Sequence, residues 1–266
     1  MSRIPDLFAE LKSRGEKALI PFITAGDPTL DQTDVVLDAL VKGGADLIEL
    51  GVPYSDPMAD GPVIQRSSER ALQGGCTLAD ILETVRRFRQ RHPTPLILFG
   101  YLNPFLQHGV DRLARDAREA GVDGFLIVDL PPEEAESFQR SLAAQDLDLI
   151  ALLTPTSDAE RVDAVRPLAS GFVYYVSVKG VTGDREEHQY SAIAERVAGL
   201  QGDLTLPIAV GFGIATPDQA AEVAEFADAV VVGSALIRVL ESQETGEQAA
   251  EAAQAFLASL KSAMSA

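Results

Sequence analysis

The chain has 266 residues, 46% of them hydrophobic, enough for one large core or two small ones. Forty acids against 22 bases give a formal charge of -18, which argues against nucleic acid or an anionic membrane as a partner, since both bind basic patches. Any anionic substrate must therefore be held by a local site, because net charge would repel it. The acidic balance fits an ordinary acidic protein, and also a salty cytoplasm. The one cysteine, Cys76, allows no intrachain disulfide and fits a reducing compartment. No apolar run reaches the ~20 residues of a membrane helix. The opening Met-Ser-Arg-Ile-Pro-Asp lacks the apolar core of a signal peptide, so the expected location is cytoplasmic.

Taken in chain order, Ile4–Arg14 reads as a helix ahead of the first strand, placed to close the bottom of a barrel. Short apolar, β-branched runs then follow at Leu19–Thr24, Leu47–Gly51, Leu96–Tyr101, Gly124–Asp129, Leu149–Leu153, Phe172–Val178, Ile208–Gly211 and Ala229–Val232. Most are continuous rather than alternating, as expected of parallel strands covered by helices on the outside. Amphipathic stretches separate them at Leu30–Val41, Ala79–Arg91, Val110–Ala120, Glu133–Ala144, Ala159–Leu168, Ile193–Leu200 and Asp218–Phe226. Thr77, Pro132 and Thr216-Pro217 supply helix-start signals. Gly74-Gly75 splits the long segment from Pro62 to Arg91, which adds an extra helix after the second strand. Gly246–Ser262 is an Ala-rich final helix. Eight alternating units in this length predict a single closed (β/α)8 barrel, a TIM barrel, over residues 1–266. An open doubly wound sheet would want a Gly-rich turn after the first strand, where the chain reads Thr24-Ala25-Gly26-Asp27-Pro28.

Two acids carry the chemistry. Glu49 interrupts the second apolar run, and Asp60 lies eleven positions on, in a loop with two prolines. Side-chain alternation puts Leu47, Glu49 and Gly51 on one face, placed inward. Two carboxyls in unlike environments suit acid/base work near neutrality. The competing readings are a satisfied core acid for Glu49 and a turn residue for Asp60. Glycines after the late strands form a candidate anion site. These are Gly180-Val181-Thr182-Gly183, Gly211-Phe212-Gly213 and Gly233-Ser234. Each lets backbone approach a phosphate, and amide donors to such a dianion contribute on the order of 1.5–3 kcal/mol each. Lys179 and Arg185 read as loop surface. His92, His108 and His188 lack metal-ligand spacing and read as solvated loop or helix-end residues.

The run from Ile48 to Gly61, with its Glu-Leu-Gly-Val-Pro-Tyr-Ser-Asp-Pro-Met-Ala-Asp-Gly, closely resembles the signature of the tryptophan synthase α-chain family. Gly-Val-Thr-Gly, Gly-Phe-Gly-Ile and Gly-Ser-Ala match the family at later places, so the resemblance extends from Pro21-Phe22 to Leu236. It implies cleavage of indole-3-glycerol phosphate to indole and glyceraldehyde 3-phosphate, with Glu49 and Asp60 catalytic and no metal or organic cofactor. It also implies phosphate contacts at Gly183, Gly213, Gly233 and Ser234, with Gly211 a further candidate for substrate binding. Phe22, Tyr101, Tyr174, Thr182 and Phe212 would line the indole and glycerol pocket, although strand aromatics are also ordinary core residues. A pyridoxal-phosphate β chain is the implied partner in an α2β2 assembly, met through Asp56 and Pro57. The alternatives are a free-standing indole-releasing lyase, a silent barrel that only activates a partner and, remotely, another phosphate-binding barrel such as an isomerase of the same pathway.

Overall fold

A computed structural model describes residues 2–176, 186–211 and 213–265 of the chain. The expected Thr182, Gly183 and Phe212 lie outside them, as do Lys179 and Arg185. The order begins with α1 (Ile4–Arg14), β1 (Ala18–Thr24), α2 (Leu30–Lys42) and β2 (Ile48–Gly51). It continues through α3 (Pro62–Gln73), α4 (Leu78–Arg91), β3 (Leu96–Gly100), α5 (Leu102–His108), α6 (Val110–Ala120) and β4 (Gly124–Ile127). Next come α7 (Pro132–Ala143), β5 (Asp148–Leu153), α8 (Ala159–Val165), β6 (Val173–Val176) and α9 (Glu186–Asp203). The chain closes with β7 (Ile208–Gly211), α10 (Pro217–Ala224), β8 (Ala229–Val232), α11 (Ser234–Glu241) and α12 (Gly246–Met264). All eight strands pair in parallel in sequence order, and β8 closes on β1, as the alternation predicts. No helix among the described residues is long and apolar enough to cross a membrane.

The extra helices fall where the sequence signals place them. Gly74 ends α3, Gly75 takes a positive φ of 78°, and Thr77 opens α4 with a reciprocal capping box to Asp80. Thr216 and Pro217 cap α10, and Pro132 opens α7. Two helices are additional to the expected set. α5 contains Pro104, tolerated because it lies in the first turn, and α11 is only two turns long and follows β8 directly.

Strand alternation separates two apolar zones. Leu19, Ile23, Ile48 and Leu50 face the helix layer, whereas Ile20, Leu47, Ile97, Leu126, Ile150, Phe172 and Val231 fill the barrel. Ile4, Phe8 and Leu11 of α1 join that inner cluster, and the Phe8 and Phe172 rings lie 5.9 Å apart, so α1 plugs the bottom as expected.

A repeated clamp organises the bottom rim. A residue shortly before each even-numbered strand accepts the amide of an odd-numbered strand through its side chain. Asp46 takes Leu19 N–H at 2.7 Å, Asp123 takes Leu96 at 2.9 Å, Ser170 takes Leu149 at 3.0 Å and Asp228 takes Ile208 at 2.9 Å. Each of these residues also donates its own amide to the carbonyl of the same partner, at 2.8–3.0 Å. Asp123 is the most heavily used. It is fully buried and also accepts from the Arg3 amide at 2.9 Å, the Arg3 guanidinium at 2.9 Å and Arg89 at 3.2 Å.

Asp123→Asn leaves the partly exposed Arg3 and the largely buried Arg89 facing an uncharged group. Breaking one side of such a buried pair costs about 3–5 kcal/mol. Chemical denaturation should show a loss of that size, and a loss below about 1 kcal/mol would show that the clamp is not anchored by its charge.

Candidate functional site

The top of the barrel is built from the next inward layer. Phe22 on β1 and Ile97 on β3 flank Glu49 in register, with Phe99, Val128, Leu152 and Tyr174 among the half-buried residues around the inner cluster. Phe22 and Phe99 meet edge to face, with centroids 5.1 Å apart. Glu49 is 1% exposed, and neither carboxyl oxygen has a hydrogen-bond partner among the described residues. Among the described residues Glu49 thus has none of the partners that a satisfied core acid would need. Burial alone pushes its pKa up to about 8, so it is mostly protonated at neutral pH.

Asp60 behaves differently. It ends a tight turn in which its own amide donates to Pro57 O at 3.1 Å, while its carbonyl accepts Gln65 Nε2 at 2.8 Å. Burial raises its pKa to about 6, opposed by a hydrogen bond from the Tyr101 hydroxyl. Between about pH 6 and 8 the two acids therefore hold opposite charge states: Glu49 neutral, Asp60 ionised.

Tyr101 is 3% exposed and sits just after β3. Its hydroxyl accepts the Ala59 amide at 3.0 Å and donates to Asp60, and its ring packs against Tyr54 at 5.2 Å. Its visible task is to hold the Tyr54–Asp60 loop, alongside the pocket-lining role expected from the resemblance. Tyr174 lies on β6 and feels the Glu49 charge. Burial first, and then Glu49, raise its pKa well above the usual tyrosine value.

Gly211 is required by this neighbour. A Cβ there would collide with the Tyr174 hydroxyl and come within 2.8 Å of its Cζ. Gly233 is not required by packing, since a Cβ would meet only Phe22, at 3.6 Å. Gly233 precedes α11, whose first turn has no side-chain cap, so no side chain at the N-cap takes up its first amides. Gly213 takes a positive φ of 72°. Asp56 is exposed and accepts the Ser55 hydroxyl at 2.6 Å; beside it Pro57 is half-buried and Met58 is 86% exposed.

Sequence reasoning missed one residue of this layer. Thr24 shares the inward face of β1 with Phe22, is 3% exposed, and its hydroxyl has no partner among the described residues. A polar residue two positions after Phe22 was the available signal. The histidines differ in detail from the solvated reading. His92 pairs with Asp38 at 2.9 Å and His108 with Asp116 at 2.7 Å, both partly buried at helix ends, and the His188 side chain lies outside the described residues.

A family model described as tryptophan synthase alpha chain matches residues 8–265. The chain belongs to the tryptophan synthase alpha chain family. A relative of that description from Geobacter sulfurreducens is 54% identical over 264 residues, 99% of each chain. One from Burkholderia multivorans is 54% identical over 99% of this chain and 97% of its own. The fold superposes on the crystal structure of tryptophan synthase subunit alpha from Legionella pneumophila with a TM-score of 0.92, at 43% identity, over 100% of this chain and 99% of that one. It also matches a chain of the aminoacrylate-bound tryptophan synthase from M. tuberculosis at 0.89, 34% identical, over 99% of this chain and 100% of that one. The family carries a lyase role in tryptophan biosynthesis.

The Glu49 environment makes a stability prediction with a definite sign. The unfolded carboxyl titrates near its ordinary 4.5 and the folded one near 8, so between those values the folded state keeps a proton that the unfolded state has released. Stability is unaffected below about pH 4.5, falls as pH rises through the window, and levels off above about 8. Glu49→Gln removes the penalty. Its unfolding free energy should match wild type near pH 4 and exceed it by about 3–5 kcal/mol at pH 8. Parallel curves across that range would mean that the carboxyl is solvated.

Proposed function

We propose that the chain is the α subunit that cleaves indole-3-glycerol phosphate by a retro-aldol step, releasing indole and glyceraldehyde 3-phosphate. The observation that carries this reading is the buried, protonated Glu49 in the upper barrel, without a hydrogen-bond partner among the described residues, with an ionised Asp60 on the loop beyond β2. Neutral Glu49 donates its proton to indole C3. The bond from C3 to the carbinol carbon then breaks, and its electrons return to the ring. The carbinol hydroxyl gives its proton to Glu49, which restores the starting state, and the aldehyde forms. Asp60 accepts the indole N–H and stabilises the positive charge that appears on the ring when C3 is protonated. The uncapped amides of α11, with Gly211, Gly213, Gly233 and Ser234, receive the phosphate. Gly183 and Thr182 complete that rim and Phe212 the ring pocket, by resemblance. Phe22 and Tyr174 pack against the indole and glycerol, and no cofactor takes part in the steps.

The exposed Asp56 and Pro57 turn is the face we assign to a pyridoxal-phosphate β chain, in an α2β2 assembly in the cytoplasm that consumes the indole. Residues 1–266 act as one barrel. Indole formation by the purified chain with and without a β chain separates this reading from a free-standing lyase, which would gain nothing from the partner, and from a silent barrel, which would release no indole.

Glu49→Gln should lower kcat by at least 10²–10⁴-fold while substrate still binds. Activity within about threefold of wild type would remove Glu49 from the mechanism.

For wild type, kcat/KM should be bell-shaped, rising near pH 6 as Asp60 ionises and falling near pH 8 as Glu49 loses its proton. Asp60→Asn should lose the acidic limb and about 3–4 kcal/mol of transition-state stabilisation. A profile flat from pH 5 to 9 would contradict both assignments.

A further inference from the structure

Helix α3 starts two residues after Asp60, and α11 starts at Ser234, so these helices carry the two halves of the proposed site. Their first turns share a small apolar cluster in which Val63 of α3 and Ile237 of α11 pack with Phe22. A polar network ties the rest of the two helices together. Arg70 of α3 grips Asp27 with both arms of its guanidinium, Nε to Oδ1 at 2.7 Å and Nη2 to Oδ2 at 2.8 Å, and Ser67 donates to the same carboxylate at 2.6 Å. Its remaining nitrogen, Nη1, reaches Glu241 at the last residue of α11, at 2.8 Å, and Arg66 adds two longer bonds of 3.3 Å to that carboxylate.

Asp27 follows β1 in the turn after Thr24, and its side chain is only 9% exposed. One guanidinium therefore joins the β1 turn, the helix behind the Asp60 loop, and the helix at whose start the phosphate would dock. A bidentate fork fixes orientation as well as charge, which a lysine ammonium cannot do. Nothing in the proposed chemistry uses Arg70, Asp27 or Glu241.

We propose that Arg70 is a positioning residue that locks α3 to α11, so that a phosphate seated at the start of α11 also sets the position of Asp60. The inference rests on the retro-aldol reading above. Binding energy from the remote phosphate is then spent on orienting the acid at the ring, which appears in kcat rather than KM. A purely structural salt bridge would lower thermal stability and leave the effect of the phosphate on turnover unchanged.

The test uses the full-length chain with two substrates, indole-3-glycerol phosphate and phosphate-free indole-3-glycerol. Arg70→Gln, Arg70→Lys and Glu241→Gln are compared with wild type, with inorganic phosphate as competitor. Arg70→Gln should lower kcat for the phosphorylated substrate about tenfold or more and change the phosphate-free reaction less than about twofold, with inhibition by inorganic phosphate within about twofold of wild type. Arg70→Lys should behave like Arg70→Gln, because the fork is lost although the charge is kept. Glu241→Gln keeps the grip on Asp27 and should give the same pattern at about threefold, so the inference stays testable if Arg70 variants fold poorly. Equal losses on both substrates, or a lower melting temperature with unchanged kcat for the phosphorylated one, would overturn it. Glu49→Gln assayed alongside keeps the two readings apart: retained cleavage in that variant defeats the retro-aldol assignment, whereas lost cleavage with kinetically normal Arg70 variants defeats only the coupling.

Discussion

Glu49 sits where water is excluded and no described group donates to it, so its carboxyl stays neutral through most of the physiological range. The rest of the upper barrel follows from that constraint. Because Glu49 is neutral, it needs no counter-ion, and its neighbours on the adjoining strands are Phe22 and Ile97, with Tyr174 on β6. The second acid comes not from a strand but from the loop beyond β2. That acid is Asp60, which titrates lower than Glu49 because an aspartate starts lower and because it is less deeply buried here and accepts the Tyr101 hydroxyl.

The two ends of the barrel treat the same functional group in opposite ways. At the bottom, Asp123 is as buried as Glu49 and is fully satisfied, by two backbone amides and two arginines. It binds Arg3, at the start of α1, and Arg89 of α4 to the strands. At the top, no described residue donates to the Glu49 carboxyl, and burial favours its neutral form. A buried acid with partners contributes rigidity, and one without them holds a transferable proton at a cost in stability.

Much of this was legible in the sequence. The continuous apolar runs marked eight parallel strands, with ends shifted by a residue or two where a flanking Asp or Gly gives no sharp stop. Alternation put Leu47, Glu49 and Gly51 on one face, and turning that face inward was a separate step. The features that were missed are those in which side chains from distant segments meet. α11 has no cap and too few turns to show a period, and α5 carries a proline that reads as loop. The hydroxyl of Tyr101 could not be connected to Asp60 before the fold placed the end of β3 beside that loop. The bottom clamps escaped notice because an aspartate ahead of an apolar run looks like any turn residue until its amide partner on the preceding strand is known. The link from Arg70 to Asp27 and Glu241 spans separations of 43 and 171 positions, which no local pattern reveals.

The reciprocal clamps pair the strands as β1 with β2, β3 with β4, β5 with β6 and β7 with β8, and each leaves the neighbouring seam to ordinary ladder bonds. The ring is thus tiled from four two-stranded staves, each fastened within itself at the lower rim. New chain ends opened between β2 and β3 or between β4 and β5 would leave every stave whole, whereas ends opened between β3 and β4 would cut the covalent link across the clamp that Asp123 anchors. A barrel that is circular in space is, at its lower rim, divided by four, and its tolerance to rearranged connectivity should carry the same period.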